Sequence, residues 1–257
     1  MTEHRPTSAP PDTALARALA LVRDLRARCP WDHVQTRDTL RPYLVEEALE
    51  LDQALKQDDA ARLRDELGDL LLHVAFQIVI GEERGEFDAE TVTRALEEKM
   101  RRRHPHLFGL GDKPQSWELG KRETGKGKRS VLDGMPATLP PLLMAYRLQQ
   151  RAAGVGFDWP DATGPMEKVK EEIAELERET GNGKRERVED ELGDLLFAVV
   201  NLARKLAIDP RAALEKANDK FTRRFEAVER LAEQRGLDLG RADLADLDRL
   251  WDEVKAG

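Results

Sequence analysis

The stretch K-E-E-I-A-E-L (170–176), followed by D-E-L-G-D-L-L (190–196), decides the reading of this chain, because it occurs twice. The earlier copy is V-E-E-A-L-E-L (45–51) followed by D-E-L-G-D-L-L (65–71). The spacing from Glu50 to Glu66 equals that from Glu175 to Glu191. Residues three or four apart on a helix share a face. Glu47 with Glu50, Glu66 with Asp69, Glu172 with Glu175, and Glu191 with Asp194 therefore form like-charged pairs. On an exposed helix such pairs are unfavourable by a few tenths of a kcal/mol. Gathered from two helices they call for a cation.

A single E-E-x-x-E is commonplace on a solvated helix. Its duplication in fixed order, beside apolar residues, is not. Leu192, Leu195, Leu196 and Val199 are expected to line a core that Glu191 and Asp194 border. Carboxylates without cysteine suit Mg²⁺, or Mn²⁺, better than zinc. Gly68 and Gly193 sit inside predicted helices, where glycine is unfavourable by about 1 kcal/mol relative to alanine. They suggest close approach of a backbone or a ligand.

Composition bounds the rest. The 257 residues carry 36% charged side chains, 5% aromatics and a formal net charge of -8. Glu, Arg, Ala and Leu dominate and period-two apolar runs are missing, which predicts an all-α chain. The negative charge argues against a nucleic acid polymer as partner. One cysteine, Cys29, excludes an intrachain disulfide. The polar start and the lack of a long apolar run predict a cytoplasmic protein with no membrane partner.

The organisation follows from helical periodicity and from Gly and Pro. Residues 1–11 are expected to form a disordered arm, 12–108 an N-terminal helical unit, 109–141 a Gly-, Lys- and Pro-rich linker, and 142–257 a second unit. Predicted starts are Asp12 or Thr13, Thr36 or Asp38, Asp58 or Asp59, Asp88, and Asp209. Predicted turns span 81–87 and 181–183.

Basic residues follow at matching places. Arg62 and Arg187 each precede the second motif's glutamate by four positions. Lys99 and Arg103 correspond to Lys220 and Arg224. A lysine and an arginine one turn apart beside a metal-loaded acidic group suit a polyphosphate.

Together these residues resemble the MazG family of nucleoside triphosphate pyrophosphohydrolases. The likeness covers nearly the whole chain after the N-terminal arm. Besides the paired acidic motifs it includes C-P-W-D (29–32), R-R-R-H-P-H-L-F-G (101–109) and G-F-D-W-P (156–160). It implies tandem helical-bundle units, a homodimer, and Mg²⁺-dependent hydrolysis of nucleoside triphosphates to monophosphate and pyrophosphate. For unit two it implies metal ligands Glu172, Glu175, Glu191 and Asp194. It implies a catalytic group of Glu171, Glu172, Arg187 and Lys220. The substrate contacts it implies are Lys168, Glu171, Arg187, Asp190, Asn218, Lys220, Arg224 and Trp251, the last stacking near the nucleotide. The weaker site would be Glu47, Glu50, Glu66 and Asp69.

Unit one departs from that pattern, with Tyr43 in place of Lys168, Glu97 in place of Asn218, and no follower like Trp251. Unit two is therefore expected to be the main catalyst. His73 follows Asp69 by one turn and could approach the first group. Phe197 is read as taking its place in unit two, and His73 is assigned a structural role. Trp31 and Trp159 are read as packing residues, and Trp117 is unassigned. The rival reading is a non-catalytic helical dimerisation module.

Overall fold

The structure is a computed structural model describing residues 13–57, 59–112 and 130–256, with the Asn182 side chain left out. The expected arm, Asp58, Trp117 and most of the expected linker lie outside those residues. The chain divides into two compact units after Leu110. Every regular element among the described residues is helical.

Unit one opens with α1 (Ala14–Arg28) and the one-turn α2 (Pro30–His33), then α3 (Arg37–Gln57), α4 (Ala60–Glu83) and α5 (Ala89–Arg103). The caps explain the boundaries. Thr13 Oγ1 accepts from the Ala16 amide at 3.2 Å. Thr36 and Thr39 cap reciprocally, each side chain accepting from the other's amide. Asp59 accepts from the amides of Ala61 and Arg62. Asp88 and Thr91 form a capping box.

Unit two contains α6 (Pro141–Ala153), α7 (Thr163–Asn182), α8 (Arg185–Lys205), α9 (Pro210–Gln234) and α10 (Leu244–Ala256). In both units the two acidic helices, α3 with α4 and α7 with α8, pack as an antiparallel pair. A preceding helix, α1 or α6, packs on the second of them. In unit two α10 packs on α9.

Two predicted turns are shorter than expected. The turn at 81–87 begins only after Glu83, because Gly81 is absorbed into α4. The Phe87 ring lies so close that a Cβ on Gly81 would meet it at 2.3 Å. At 181–183, α7 continues through Asn182 and ends at Gly183, which takes φ 70°, a conformation that favours glycine.

Unit one has a compact core of Leu19, Val22, Leu40, Ala75, Phe76, Ile78, Val79 and Ile80. Buried Arg26 closes it. Its guanidinium forks onto Glu83 at 2.6 and 2.7 Å and donates to the carbonyls of Asp32 and Gln35. Hydrogen bonding to Arg26 is the main reason the Glu83 carboxyl lies below its ordinary range. In unit two, buried Arg151 likewise donates to loop carbonyls, those of Val131 and Asp133. The G-F-D-W-P loop is tied to the end of α8 through Asp158, which pairs with Arg204 and Lys205. Those hydrogen bonds, Arg204 first, hold Asp158 below the usual carboxylate range. The Trp159 ring lies over Gly164, yet Trp159 and Trp31 are both exposed rather than packed into a core.

The expected core stripe needs correction. Leu192, Leu196 and Val199 are exposed on this chain, Leu196 by 53%, and Leu195 is half-buried. The packed face of α8 instead runs through Val188, Glu191, Leu195 and Ala198, none of them exposed. That spacing puts them one turn apart on a single stripe. Glu191 thus sits on the packed face, and an uncovered leucine stripe runs beside it. The same holds for α4, where Leu63, Glu66, Leu70 and His73 form the packed stripe while Leu67, Leu71 and Val74 are exposed.

Candidate active site

In unit two, carboxylate oxygens of Glu172, Glu175 and Glu191 lie within 4.8 Å of one another. Two come from adjacent turns of α7 and one from the facing turn of α8. The short Gly183-Lys184 turn brings these helices back together. Glu172 is buried, only 4% exposed, and its Oε2 has no hydrogen-bond partner among the described residues. Burial, then the charges of Glu175, Glu172, Asp194 and Glu179, raise the Glu191 pKa above its ordinary value. Asp194 is exposed and outside the tight group, yet near enough for its charge to act on Glu191.

Lys168 is the local counter-charge. Its Nζ lies 2.7 Å from Glu172 Oε1 and 3.0 Å from Glu171 Oε1. Hydrogen bonds to Glu172, then Glu171, raise its pKa above the usual lysine range. Glu175 pairs with Arg178 at 3.1 Å. Arg187 lies 3.8 Å from Glu179 Oε1. Glu179 escaped the sequence reading. It follows Glu175 by one turn, and its Oε2 is also buried with no hydrogen-bond partner among the described residues. Its counterpart in unit one is buried Ala54.

The remaining expected residues lie outside the tight carboxylate group. Asp190 is exposed, outside the carboxylate group. Asn218 and Lys220 are exposed and Arg224 half-buried on α9; among the described residues no ion pair joins Lys220 or Arg224 to a carboxylate. Trp251 is half-buried in the small core of Val228, Ala232 and Leu250. Its ring stands 5.4 Å from that of Phe221, which is stacked on Phe225 at 5.8 Å. Phe221 and Phe225 are exposed and adjoin Lys220 and Arg224 in sequence. This aromatic patch was the second feature the sequence reading missed. Its signal was the i, i+4 pair of phenylalanines among the basic residues.

Unit one builds a related but unequal group from Glu47, Glu66 and Asp69. Glu50 is exposed and outside it. Burial, followed by the charges of Asp69, Glu50, Glu66 and Glu46, raises the Glu47 pKa. Arg62 lies 3.5 Å from Glu66. Where unit two has Lys168, unit one has Tyr43, whose ring meets Trp31 edge-on at 6.3 Å. His33 and His104 use Nδ1 on the carbonyls of Arg26 and Met100, as structural histidines do.

The all-oxygen donor sets suit a hard divalent cation. Like charges packed this closely on buried stripes, with an orphaned Glu172 oxygen, are also what such an ion would relieve.

Comparison with known proteins shows the family of the chain. The MazG nucleotide pyrophosphohydrolase domain matches residues 35–108 and 163–229, once in each unit. The chain is 44% identical over 234 residues to the nucleoside triphosphate pyrophosphohydrolase/pyrophosphatase MazG of Thermotoga maritima, covering 89% of this chain and 90% of that protein. It is 42% identical over 244 residues to the nucleoside triphosphate pyrophosphohydrolase of Escherichia coli K12, covering 91% and 93%. A shorter match, 36% identical over 150 residues, reaches the Mycobacterium tuberculosis enzyme of the same name, with 56% of this chain and 46% of that one. With the family domain in both halves and such relatives along nearly its full length, the chain belongs to the MazG nucleotide pyrophosphohydrolase family.

Proposed function

We propose that this protein hydrolyses nucleoside triphosphates to monophosphate and pyrophosphate with Mg²⁺ at unit two, clearing unwanted nucleotides from the cytoplasmic pool. The observation that carries it is the convergence of Glu172, Glu175 and Glu191, with Asp194 beside them, in a chain so similar to enzymes of that name. Glu172, Glu175 and Glu191 would hold Mg²⁺, or Mn²⁺ in its stead, which would neutralise phosphate charge and make the attacking water more acidic.

The protein's own groups do the rest by position and electrostatics. Lys168 is poised to leave Glu172 for a phosphate oxygen. Lys220, Arg224 and Arg187 supply further donors, Asn218 and Asp190 polar contacts, and Phe221 with Trp251 an apolar platform for a base. Exposed Glu171 orients the water and accepts its proton. Water attacks the α-phosphorus, the bond to the bridging oxygen of the β-phosphate breaks, and pyrophosphate leaves.

The uncovered stripes of α4 and α8 support a homodimer in which a second copy covers them. Their apolar residues, Leu67, Leu71 and Val74 and then Leu192, Leu196 and Val199, occupy matching positions in the two units.

The decisive experiment follows products from canonical and modified nucleoside triphosphates, with Mg²⁺ and with chelator. Monophosphate and pyrophosphate in equal amounts, abolished by chelator, are expected. Release of orthophosphate alone would reject cleavage at the α-phosphorus, and no turnover at all would leave the interaction module.

A further inference from the structure

Between α6, the G-F-D-W-P loop and the second half of α8, unit two holds a cavity of about 540 Å³. That is the size of an ordinary small-molecule site. Phe157, Trp159 and Phe197 wall it, and Gln149, Asn201 and Arg204 are among its polar lining. Trp159 is seated on Gly164, where a Cβ would meet the ring at 2.3 Å. Gln149 is 7% exposed. Its Nε2 donates to the Phe197 carbonyl at 2.8 Å, which fixes the amide plane. Its Oε1 is buried with no hydrogen-bond partner among the described residues. An acceptor buried in that way is unfavourable until a donor meets it. Asn201 gives its Oδ1 to Arg204, which also pairs with Asp158, so the group it has left to offer is the Nδ2 donor. Unit one is built differently here. In the register that aligns Glu50 with Glu175, Asn201 and Arg204 correspond to Phe76 and Val79, both in the buried core. The same register matches His73 to Ala198 rather than to Phe197.

We propose that this cavity is a nucleobase pocket, in which Phe157, Trp159 and Phe197 enclose the ring, Gln149 Oε1 accepts a base N–H, and Asn201 Nδ2 donates to the neighbouring ring nitrogen or carbonyl. Each base presents a donor beside an acceptor on its pairing edge, and its π-face stacks on aromatic side chains. The position fits a nucleotide. Asp194, Phe197 and Asn201 follow one another at intervals of three and four on α8, so they share a face. Asn201 lies about 10 Å along the axis from Asp194, a span that a sugar and base bridge. The Phe221–Trp251 platform is a separate ring face on α9 and α10. The base comes either from the nucleotide at the cage or from a separate nucleoside, and the test tells them apart. The choice of a nucleobase among planar rings rests on the proposed nucleotide hydrolysis, but binding in the pocket needs no turnover.

The test titrates the full-length protein, in chelator, with adenosine, guanosine, cytidine, uridine and thymidine, which carry no phosphate. Saturation-transfer NMR detects binding and its concentration dependence gives the affinity. At least one nucleoside should bind the wild type. Gln149→Leu should weaken it about tenfold, as loss of a hydrogen bond to a buried partner does. Phe157→Ala should weaken it about fivefold or more, as loss of a stacking ring does. Phe221→Ala should change it less than about twofold, the effect expected away from the contact. No binding to the wild type, or loss in Phe221→Ala with none in Phe157→Ala, would overturn the proposal. If Gln149→Leu does not fold, Phe157→Ala decides alone, because that ring is 83% exposed and the core does not depend on it. A second arm adds Mg²⁺ and a triphosphate. Competitive inhibition by the bound nucleoside assigns the pocket to the substrate's own base, and inhibition of any other form, or none, assigns it to a second nucleoside. Both keep the pocket. Nucleoside binding without turnover would sink the hydrolysis reading and leave this one standing, and turnover without nucleoside binding would do the reverse.

Discussion

Lys168 and Glu172 are joined across one turn of α7, Nζ to Oε1 at 2.7 Å, so the most buried carboxylate of the cage is held by an ammonium that solvent can reach. On the proposed mechanism a metal replaces that ammonium, which is then free for a phosphate. Lys168→Met should leave Mg²⁺ affinity without nucleotide unchanged or stronger. It should lower kcat/KM about tenfold to a hundredfold, the range for a lost charge-assisted hydrogen bond of about 1.5–3 kcal/mol. Calorimetry beside steady-state kinetics checks both. Weaker binding of the bare ion would contradict the exchange.

The units should respond unequally to loss of one glutamate. Glu175→Ala removes a member of the tight group of unit two, and turnover should fall by more than the roughly 10–100-fold that accompanies loss of an outer-shell partner. Glu50 is exposed and outside the group of unit one, so Glu50→Ala should change turnover less than about twofold, within the small effects usual at such surface positions. Equal losses would reject unit two as the main catalyst.

Acidity should act on the metal-free and loaded forms in opposite senses. Glu47 and Glu191 both have pKa values raised above 4.5 by burial and by neighbouring carboxylates. The folded form therefore holds these protons more tightly than the unfolded chain. Their stabilising contribution is complete below 4.5 and is lost as pH rises through the folded values. Asp158 and Glu83, whose pKa values are lowered, run the other way and lose their contribution only in stronger acid. The rise in Tm on adding Mg²⁺ should accordingly be larger at neutral pH than in mild acid. A metal effect on Tm that does not vary with pH would show that these protons are not displaced.

Gly68 and Gly193 give a direct reading of self-association. A Cβ at either would meet nothing within 4 Å, so the close approach predicted for them is not made by this chain. Alanine there should strengthen the isolated helix by about 0.5–1 kcal/mol. If a second copy packs on the uncovered stripe, the same change crowds the contact. Gly193→Ala should then raise the denaturation midpoint of dilute protein while weakening the dimer in sedimentation. A gain in stability with unchanged association would move the interface elsewhere.

Much of the fold was legible because its signals are local. Thr13, Asp59, Asp88 and Asp209 cap where their side chains suggest, and the caps need no knowledge of packing. The shared face of Glu172 and Glu175 follows from helical geometry alone. Which apolar stripe of α8 is buried was not legible, because both stripes carry apolar residues and only the partner helix distinguishes them. The inward turn of Glu179 and the orphaned oxygen of Gln149 depended on the same missing knowledge. Gly81 in α4 is explained by Phe87, a neighbour that no propensity scale can supply.

The short turn between α7 and α8 has a kinetic corollary. All three members of the tight cage lie between residues 172 and 191, within a single hairpin. Closing such a local loop is fast compared with assembling distant segments. The cage can therefore organise before α9 docks. A chain emerging from the ribosome can close this carboxylate group while its C-terminal helices are still being made.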